Sequence, residues 1–318
     1  MTHIFCCDWG TSSFRLYFVR QSDRSVVAHH QAPIGIKEVD RQWRASNEPN
    51  RTRFFRDKLA THLREFSETL SENTDGLTVL LSGMASSSIG MNELPYGDLP
   101  LSLETPNIPF DHIQADDTCP WPIILLSGIA SADDVMRGEE IQLLGMSGVL
   151  PDKDLIVLLP GTHSKHLYLR SRQMEGFKTW MTGELFEVIQ SSTILSSSLG
   201  PFEDANSTDS FLEGVRDSGK QEWLHTLFTI RARQVLNGSD GDRISRSYLS
   251  GLLIGCELEG LPGPDSMDVV VSGAPALEPL YRTALQERGY RIVSLDLPDP
   301  LTVAGQLHWL DLNSDLLD

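Results

Sequence analysis

Apolar and polar positions fall into short blocks along this chain, and the blocks form two matching sets. Ile4-Phe5-Cys6-Cys7 is an apolar run that breaks at Asp8-Trp9-Gly10-Thr11-Ser12-Ser13 and resumes at Phe14-Arg15-Leu16-Tyr17-Phe18. Leu155-Ile156-Val157-Leu158-Leu159 breaks at Pro160-Gly161-Thr162-His163-Ser164 and resumes at Lys165-His166-Leu167-Tyr168-Leu169. Each set predicts a strand, a Gly-Thr turn and a second strand. The turn glycines, Gly10 and Gly161, stand 151 positions apart.

Behind the first hairpin lies a polar stretch, Glu38–Asn50, and then Leu59, Leu63, Phe66 and Leu70 follow Phe55 at helical spacing. Leu77–Leu81 and Ile123–Leu126 read as further strands. The Pro-punctuated region Leu94–Pro109 reads as loop or edge strand. A helix is expected over about Ala132–Leu144, with Ser131 and Asp134 as an S-x-x-D start signal. Behind the second hairpin, helices are expected over Glu184–Leu195, Glu222–Leu236 and Ser245–Glu257. Val269–Val271 then enters the turn Ser272-Gly273-Ala274, followed by a helix over Leu277–Glu287, a strand over Arg291–Leu295 and a closing helix over Val303–Leu310. Strand clusters alternating with helices argue an α/β class. The Gly-Ser segment around 145–152 divides the chain into domains 1–147 and 148–318.

Composition narrows the partners. With 318 residues there is enough chain for two cored domains. The net charge is −18, from 26 basic and 44 acidic residues, which argues against an extended nucleic-acid surface. Cys6, Cys7, Cys119 and Cys256 show no C-x-x-C spacing and sit mostly in apolar runs, as in a reduced, intracellular protein. No run of about 18 apolar residues and no leader pattern occurs, so a cytoplasmic protein without membrane partners is expected. A homodimer is the default assembly by frequency alone.

A Gly-Thr turn brings consecutive N–H groups and a hydroxyl to one point, a shape suited to an anionic oxygen. One such hairpin is a common connector. Two in corresponding halves predict a duplicated chain holding one phosphate ligand from both sides.

With the late Ser272-Gly273-Ala274 turn, the two hairpins resemble the actin-like ATPase and sugar-kinase superfamily. Leu159-Pro160-Gly161-Thr162-His163-Ser164-Lys165, Thr179-Trp180-Met181-Thr182-Gly183-Glu184-Leu185-Phe186, Ser247–Gly255 and Asp134-Val135-Met136-Arg137-Gly138-Glu139-Glu140 narrow the resemblance to the 2-dehydro-3-deoxygalactonokinase family. These motifs span nearly the whole chain. One segment departs from the family's G-M-x-G-S-R-Q-G-W-x-E-A-P-Y pattern. In Gly83–Tyr96 the Gly-Met and Glu-x-Pro-Tyr anchors stand, but Ser88-Ile89-Gly90-Met91 replaces Arg-Gln-Gly-Trp.

The resemblance implies two ribonuclease-H-like domains with mixed sheets flanking an interdomain cleft, with ATP and Mg²⁺ as cofactors. The activity it implies is phosphorylation of the C6 hydroxyl of a 2-keto-3-deoxy sugar acid, with 2-dehydro-3-deoxy-D-galactonate as the expected acceptor. Asp8 would orient Mg²⁺ through its water shell. Gly10, Thr11, Ser12, Gly161, Thr162 and Lys165 would hold phosphate, and Gly273 and Ala274 would border adenosine. Asp134 is the candidate base for the attacking hydroxyl, with Asp133 as its neighbour and helix capping as its competing role. Arg137, three residues on along the same expected helical face, would take the substrate carboxylate or else form a surface ion pair. Ser86, Ser87 and Glu139 would contact the sugar acid, although Glu139-Glu140 also reads as a solvated face. Lys165 also reads as a solvated strand residue, and Thr182 as a helix cap. Two other classes stay open: a phosphohydrolase of the same superfamily, and a non-catalytic sugar or nucleotide sensor.

Overall fold

The first apolar run is strand β1 (His3–Trp9), and Ile4, Phe5, Cys6 and Cys7 are all fully buried, so both its faces are covered. The computed structural model describes residues 3–200, 208–219, 222–236 and 246–317. Among these the chain partitions into two units. The first comprises Met1–Asp152, Arg172–Glu175 and Asp296–Asp318, and the second Lys153–Ser171 and Gly176–Leu295.

In the first unit β1 pairs antiparallel with β2 (Phe14–Arg20), placing Asp8 opposite Arg15. Next come β3 (Ser25–Ala32), α1 (Ile36–Ala45), α2 (Arg51–Ser67), β4 (Val79–Gly83), β5 (Gly97–Asp98), β6 (Leu101–Ser102), β7 (Phe110–Ile113) and β8 (Ile123–Leu126). The six-stranded sheet runs β3-β2-β1-β4-β8-β7, with β1, β4 and β8 parallel. Val79-Leu80-Leu81 and Ile123–Leu126 are buried throughout, as strands covered on both faces require. Phe55, Leu59, Leu63 and Phe66 of α2 pack on Phe5, Cys7 and Trp9 of β1 in one core cluster. Each such side chain, fully buried, contributes about 1.5–3 kcal/mol. The polar stretch 38–50 holds α1, whose buried Ile36 and Val39 face that core.

The expected helix over Ala132–Leu144 is corrected by the structure. Ile129–Ala130 (β9) and Val135–Met136 (β10) form a short hairpin, and α3 begins only at Glu139 and ends at Met146. Ser131 drives this. Its Oγ accepts the N–H groups of Asp133 and Asp134 at 3.3 and 3.0 Å, and its own N–H reaches the Asp134 carbonyl at 2.8 Å. The S-x-x-D signal is therefore a serine turn, a competing use of the same side chain. Gly138, at φ 104°, then redirects the chain into α3.

The second unit repeats the plan with β11 (Leu155–Leu159), β12 (Ser164–Arg170) and, from Gly176 on, β13 (Gln173–Trp180). Helices α4 (Thr182–Ser192), α5 (Thr208–Ser218), α6 (Trp223–Leu236) and α7 (Arg246–Leu258) precede β14 (Asp268–Val271) and α8 (Glu278–Glu287). Ser245, the expected start of α7, lies outside the described residues. Its sheet order is β14-β11-β12-β13, with β11 and β14 parallel. The strand expected over 291–295 reduces to one parallel bridge between Val269 and Ile292. The small residues of Ser247–Gly255 face α5. A Cβ on Gly251 would stand 2.0 Å from the Phe211 carbonyl oxygen. The final helix α9 (Leu301–Asp311) belongs to the first unit, where it packs on α3 and β1.

Candidate active site

In the first hairpin the Gly10 N–H donates to the Ser13 carbonyl at 2.9 Å, closing the loop and leaving Thr11 and Ser12 as its exposed, outward groups. The carbonyls of Gly10 and Thr11 accept the N–H groups of Ile36 and Lys37 at 3.0 and 3.2 Å. First-turn donors of α1, which no helix can satisfy internally, thus hold the loop. The close approach requires Gly35, where a Cβ would lie 2.1 Å from the Thr11 oxygen.

Asp8 is the next-to-last residue of the preceding strand, with its side chain 17% exposed, and its Oδ2 accepts from Arg15 Nη1 at 2.9 Å. Burial pushes its carboxyl up, Arg15 pulls it back, and the charge of Glu139 adds to the rise. Gly83, at φ 89°, lies beside it. A Cβ there would meet Asp8 Oδ1 at 3.2 Å and the Trp9 carbonyl at 2.8 Å.

The structure brings Ser86 and Arg137, both candidates for the acceptor site, into contact. Arg137 stacks on the Tyr96 ring, 4.0 Å from its centroid. Its Nη1 donates to Ser86 Oγ at 2.6 Å and Ser127 Oγ at 3.0 Å, and its Nη2 to the Leu94 carbonyl at 2.9 Å. Its Nε–H is buried with no partner. Among the described residues no carboxylate ion-pairs with this guanidinium, so its positive charge is held by neutral oxygens. It shares no helical face with Asp134, which sits in the β9–β10 turn with Oδ1 accepting the Val135 N–H at 2.7 Å. Ser87 is buried and donates to the Met84 carbonyl at 2.7 Å. Glu139 is half-buried. Glu140 is completely buried, so the pair is no solvated face. Both Glu140 oxygens accept the Gly138 N–H, at 2.8 and 2.9 Å, and burial, with Glu139 alongside, pushes its carboxyl up to about 8.

The second hairpin uses the same device. The Thr162 carbonyl accepts the Glu184 N–H from the first turn of α4 at 3.0 Å, and a Cβ on Gly183 would stand 2.5 Å from the Gly161 oxygen. Thr162 and His163 are exposed, and His163 Nε2 lies 2.7 Å from Glu184 Oε2. Lys165 is buried rather than solvated, with Nζ donating to the His163 carbonyl at 3.3 Å. The late turn abuts this loop. Ser272 N–H donates to the Leu158 carbonyl at 3.0 Å, a Gly273 Cβ would touch the Pro160 ring at 3.2 Å, and Ala274 is exposed.

Sequence reading missed what holds this second loop in place. Glu257 of α7 is 2% exposed and gathers three partners. His166 Nε2 lies 2.9 Å from its Oε1, Tyr281 OH donates to Oε2 at 2.6 Å, and Thr182 Oγ1 donates to the same oxygen. Tyr281 also bonds Ser164 Oγ at 2.8 Å. Burial and the Glu257 charge push the Tyr281 hydroxyl well above its ordinary pKa. A buried carboxylate is costly unless its lone pairs are filled, and these are. The available signal was a glutamate inside the apolar segment Leu252–Leu258. Beside it opens a cavity of about 460 Å³ lined by Trp180, Met181, Leu253 and Trp223.

The profile of a family described as 2-keto-3-deoxy-galactonokinase matches residues 8–308. A Rhizobium meliloti (strain 1021) protein described as a probable 2-dehydro-3-deoxygalactonokinase, DgoK1, is 33% identical, covering 95% of this chain and 96% of its own. The Escherichia coli (strain K12) 2-dehydro-3-deoxygalactonokinase is 26% identical, covering 91% of each. A crystal structure of a Sinorhizobium meliloti protein carrying the same kinase designation superposes with a TM-score of 0.77 at 32% identity, over 97% of this chain and 95% of that one.

Proposed function

The chain belongs to the 2-keto-3-deoxy-galactonokinase family, and on that premise we propose that it transfers the γ-phosphoryl group of ATP to the C6 hydroxyl of 2-dehydro-3-deoxy-D-galactonate. It is a carbohydrate kinase, and the phosphohydrolase and sensor readings are not favoured. The observation that carries the reading is the family match over residues 8–308, nearly the full chain.

Phosphoryl transfer asks a protein for positioning and charge more than for covalent chemistry. The exposed Thr11 and Ser12, with Gly10 shaping their loop, donate to phosphate oxygens. Gly161, Thr162 and the buried cation Lys165 do so in the second unit, where Gly273 and Ala274 border adenosine. Arg137 takes the substrate carboxylate. A half-buried guanidinium bonded only to neutral groups, with an unpartnered Nε–H, has charge and donor capacity for it. Ser86, Ser87 and Glu139 line the same acceptor site. Asp134 accepts the C6 proton as the hydroxyl oxygen attacks phosphorus.

Asp8 fits a Mg²⁺ role: one oxygen is engaged by Arg15, the other lies against a glycine, and burial beside Glu139 creates a field that a cation relieves. When bound, Mg²⁺ neutralises phosphate charge, and Asp8 would hold it through its hydration shell.

No helix among the described residues is long and apolar enough to cross a membrane. A cytoplasmic homodimer completes the reading. Free Cys6, Cys7, Cys119 and Cys256 support a reducing compartment, and the apolar side chains that α6 exposes (Leu224, Phe228, Val235 and Leu236) support self-association, which sedimentation equilibrium measures.

The test is coupled ADP release over a panel of 2-keto-3-deoxy sugar acids, with wild type and Asp134→Asn. The galactonate acid should give the highest kcat/KM. Asp134→Asn should lose about 10²–10⁴-fold in kcat while ATP still binds. Turnover with no sugar acid would sink the kinase reading, and an active Asp134→Asn would move the base elsewhere.

A further inference from the structure

Away from the residues assigned above, the first unit brings two histidines and a glutamate to one point. His30 lies on β3, the edge strand of the six-stranded sheet, and His62 and Glu65 lie one turn apart on α2. His30 Nε2 and His62 Nδ1 face each other at 3.4 Å, and His62 Nδ1 lies 3.7 Å from Glu65 Oε2. One ligand atom from each of the three falls within 4.8 Å of the others.

We propose that His30, His62 and Glu65 form a Zn²⁺ site with a fourth position open to water. Zn–N and Zn–O bonds of about 2.0–2.2 Å at tetrahedral angles separate neighbouring ligand atoms by about 3.3–3.5 Å. The 3.4 Å between the two imidazole nitrogens matches that edge, and the 3.7 Å to the carboxylate exceeds it by about 0.2–0.4 Å, a gap that rotation of the Glu65 side chain closes. The same 3.4 Å is long for an N–H···N hydrogen bond, so the facing rings gain little from each other without an ion between them.

Packing holds the rings in this attitude. Phe14 stacks on His62 with centroids 4.7 Å apart, and Phe66 stacks on His30 at 5.9 Å. The Glu65 side chain is 61% exposed, so it can swing onto an ion and water can reach the open position. Two imidazoles and one carboxylate select Zn²⁺ over Mg²⁺, which prefers all-oxygen octahedral sites.

The test titrates ZnCl₂ into the untagged full-length protein against a chromogenic zinc chelator, with excess Mg²⁺ present. One equivalent should bind, and Co²⁺ in its place should give the visible d–d absorption of a tetrahedral ion. His62→Ala and His30→Gln should abolish uptake. Glu65→Gln, an isosteric change on an exposed helix face that leaves packing intact, should weaken it about tenfold or more. Circular dichroism confirms that each variant is folded. No uptake by wild type overturns the proposal. So does uptake that survives unchanged in folded Glu65→Gln and His30→Gln, since the ion then sits elsewhere.

Discussion

The two hairpin loops share a scaffold and differ in charge. In both units an antiparallel pair ends in a Gly-Thr loop whose carbonyl oxygens accept the first-turn N–H groups of a later helix, α1 in one and α4 in the other. Both place the leading strand beside a parallel partner, β4 or β14. At the end of the first strand one copy has Asp8, opposite Arg15, and the other has Leu159, opposite Lys165. The first loop therefore carries a carboxylate, and the second a buried cation with no acid at the matching position. Their supports differ too. The first rests on backbone contacts and Gly35, whereas the second is tied through Ser164 and Thr182 to the buried Glu257 network. A duplicated backbone supplies the same loop shape twice, and single side chains make the copies differ; under the proposed function Asp8 adds a metal role to the first loop, while both loops bind phosphate.

That division can be broken experimentally. Asp8→Asn should have the largest effect, lowering kcat about 100-fold or more, because metal-assisted charge stabilisation is worth several kcal/mol. Melting temperature should not fall, since burial disfavours the ionised carboxylate already. Activity within a few-fold of wild type would remove the asymmetry between the loops.

Glu257→Gln tests the other support. An amide keeps the shape but turns a donor towards hydroxyls that donate, leaving one or two buried groups unsatisfied at a cost of about 2–4 kcal/mol. Urea denaturation should show that loss, and the KM for ATP should rise while the KM for the sugar acid stays level. Equal stability would mean that the network does not hold the second loop.

Glu140 gives the first unit a pH signature of its own. Its folded pKa, about 8, lies above the ordinary 4.5, so the protonated form is the stable one when folded. That stability is present in full below about pH 4.5 and is lost as pH rises through 8. In Glu140→Gln this part of the decline should vanish, leaving the variant more stable than wild type at pH 9 in thermal melts. A parallel decline in both proteins would place the titration elsewhere. The smallest effect is expected from Thr162→Ala, the loss of one hydroxyl, which should raise the KM for ATP about three- to tenfold without changing sugar-acid discrimination.

Much of this was legible in the chain. Continuous apolar runs such as Leu155–Leu159 identify strands covered on both faces, and Phe55-Leu59-Leu63-Phe66 identifies a helix, because burial imposes its period locally. Arg137 and Ser86 stood out in the sequence as candidates for one acceptor site. Their contact did not, because it joins positions 51 apart in sequence. The segment 129–138 misled for a physical reason: Ser131 and Asp134 serve equally well as a helix start and as a serine turn, and the two-residue strands around them are too short to show alternation. The β3 strand escaped notice because, at a sheet edge, it buries none of its residues fully.

By itself the sequence determined the α/β class, the duplicated hairpins and the family, since all three are written in local patterns of apolar period, turn glycines and contiguous motifs. Tertiary structure alone decided that α9 joins the first unit, that Glu257 braces the second loop, and that His30 meets His62 across a strand and a helix. Each of these is a contact between residues far apart in sequence. Local propensity carries no information about such partners, and burial of both at one place brings them together.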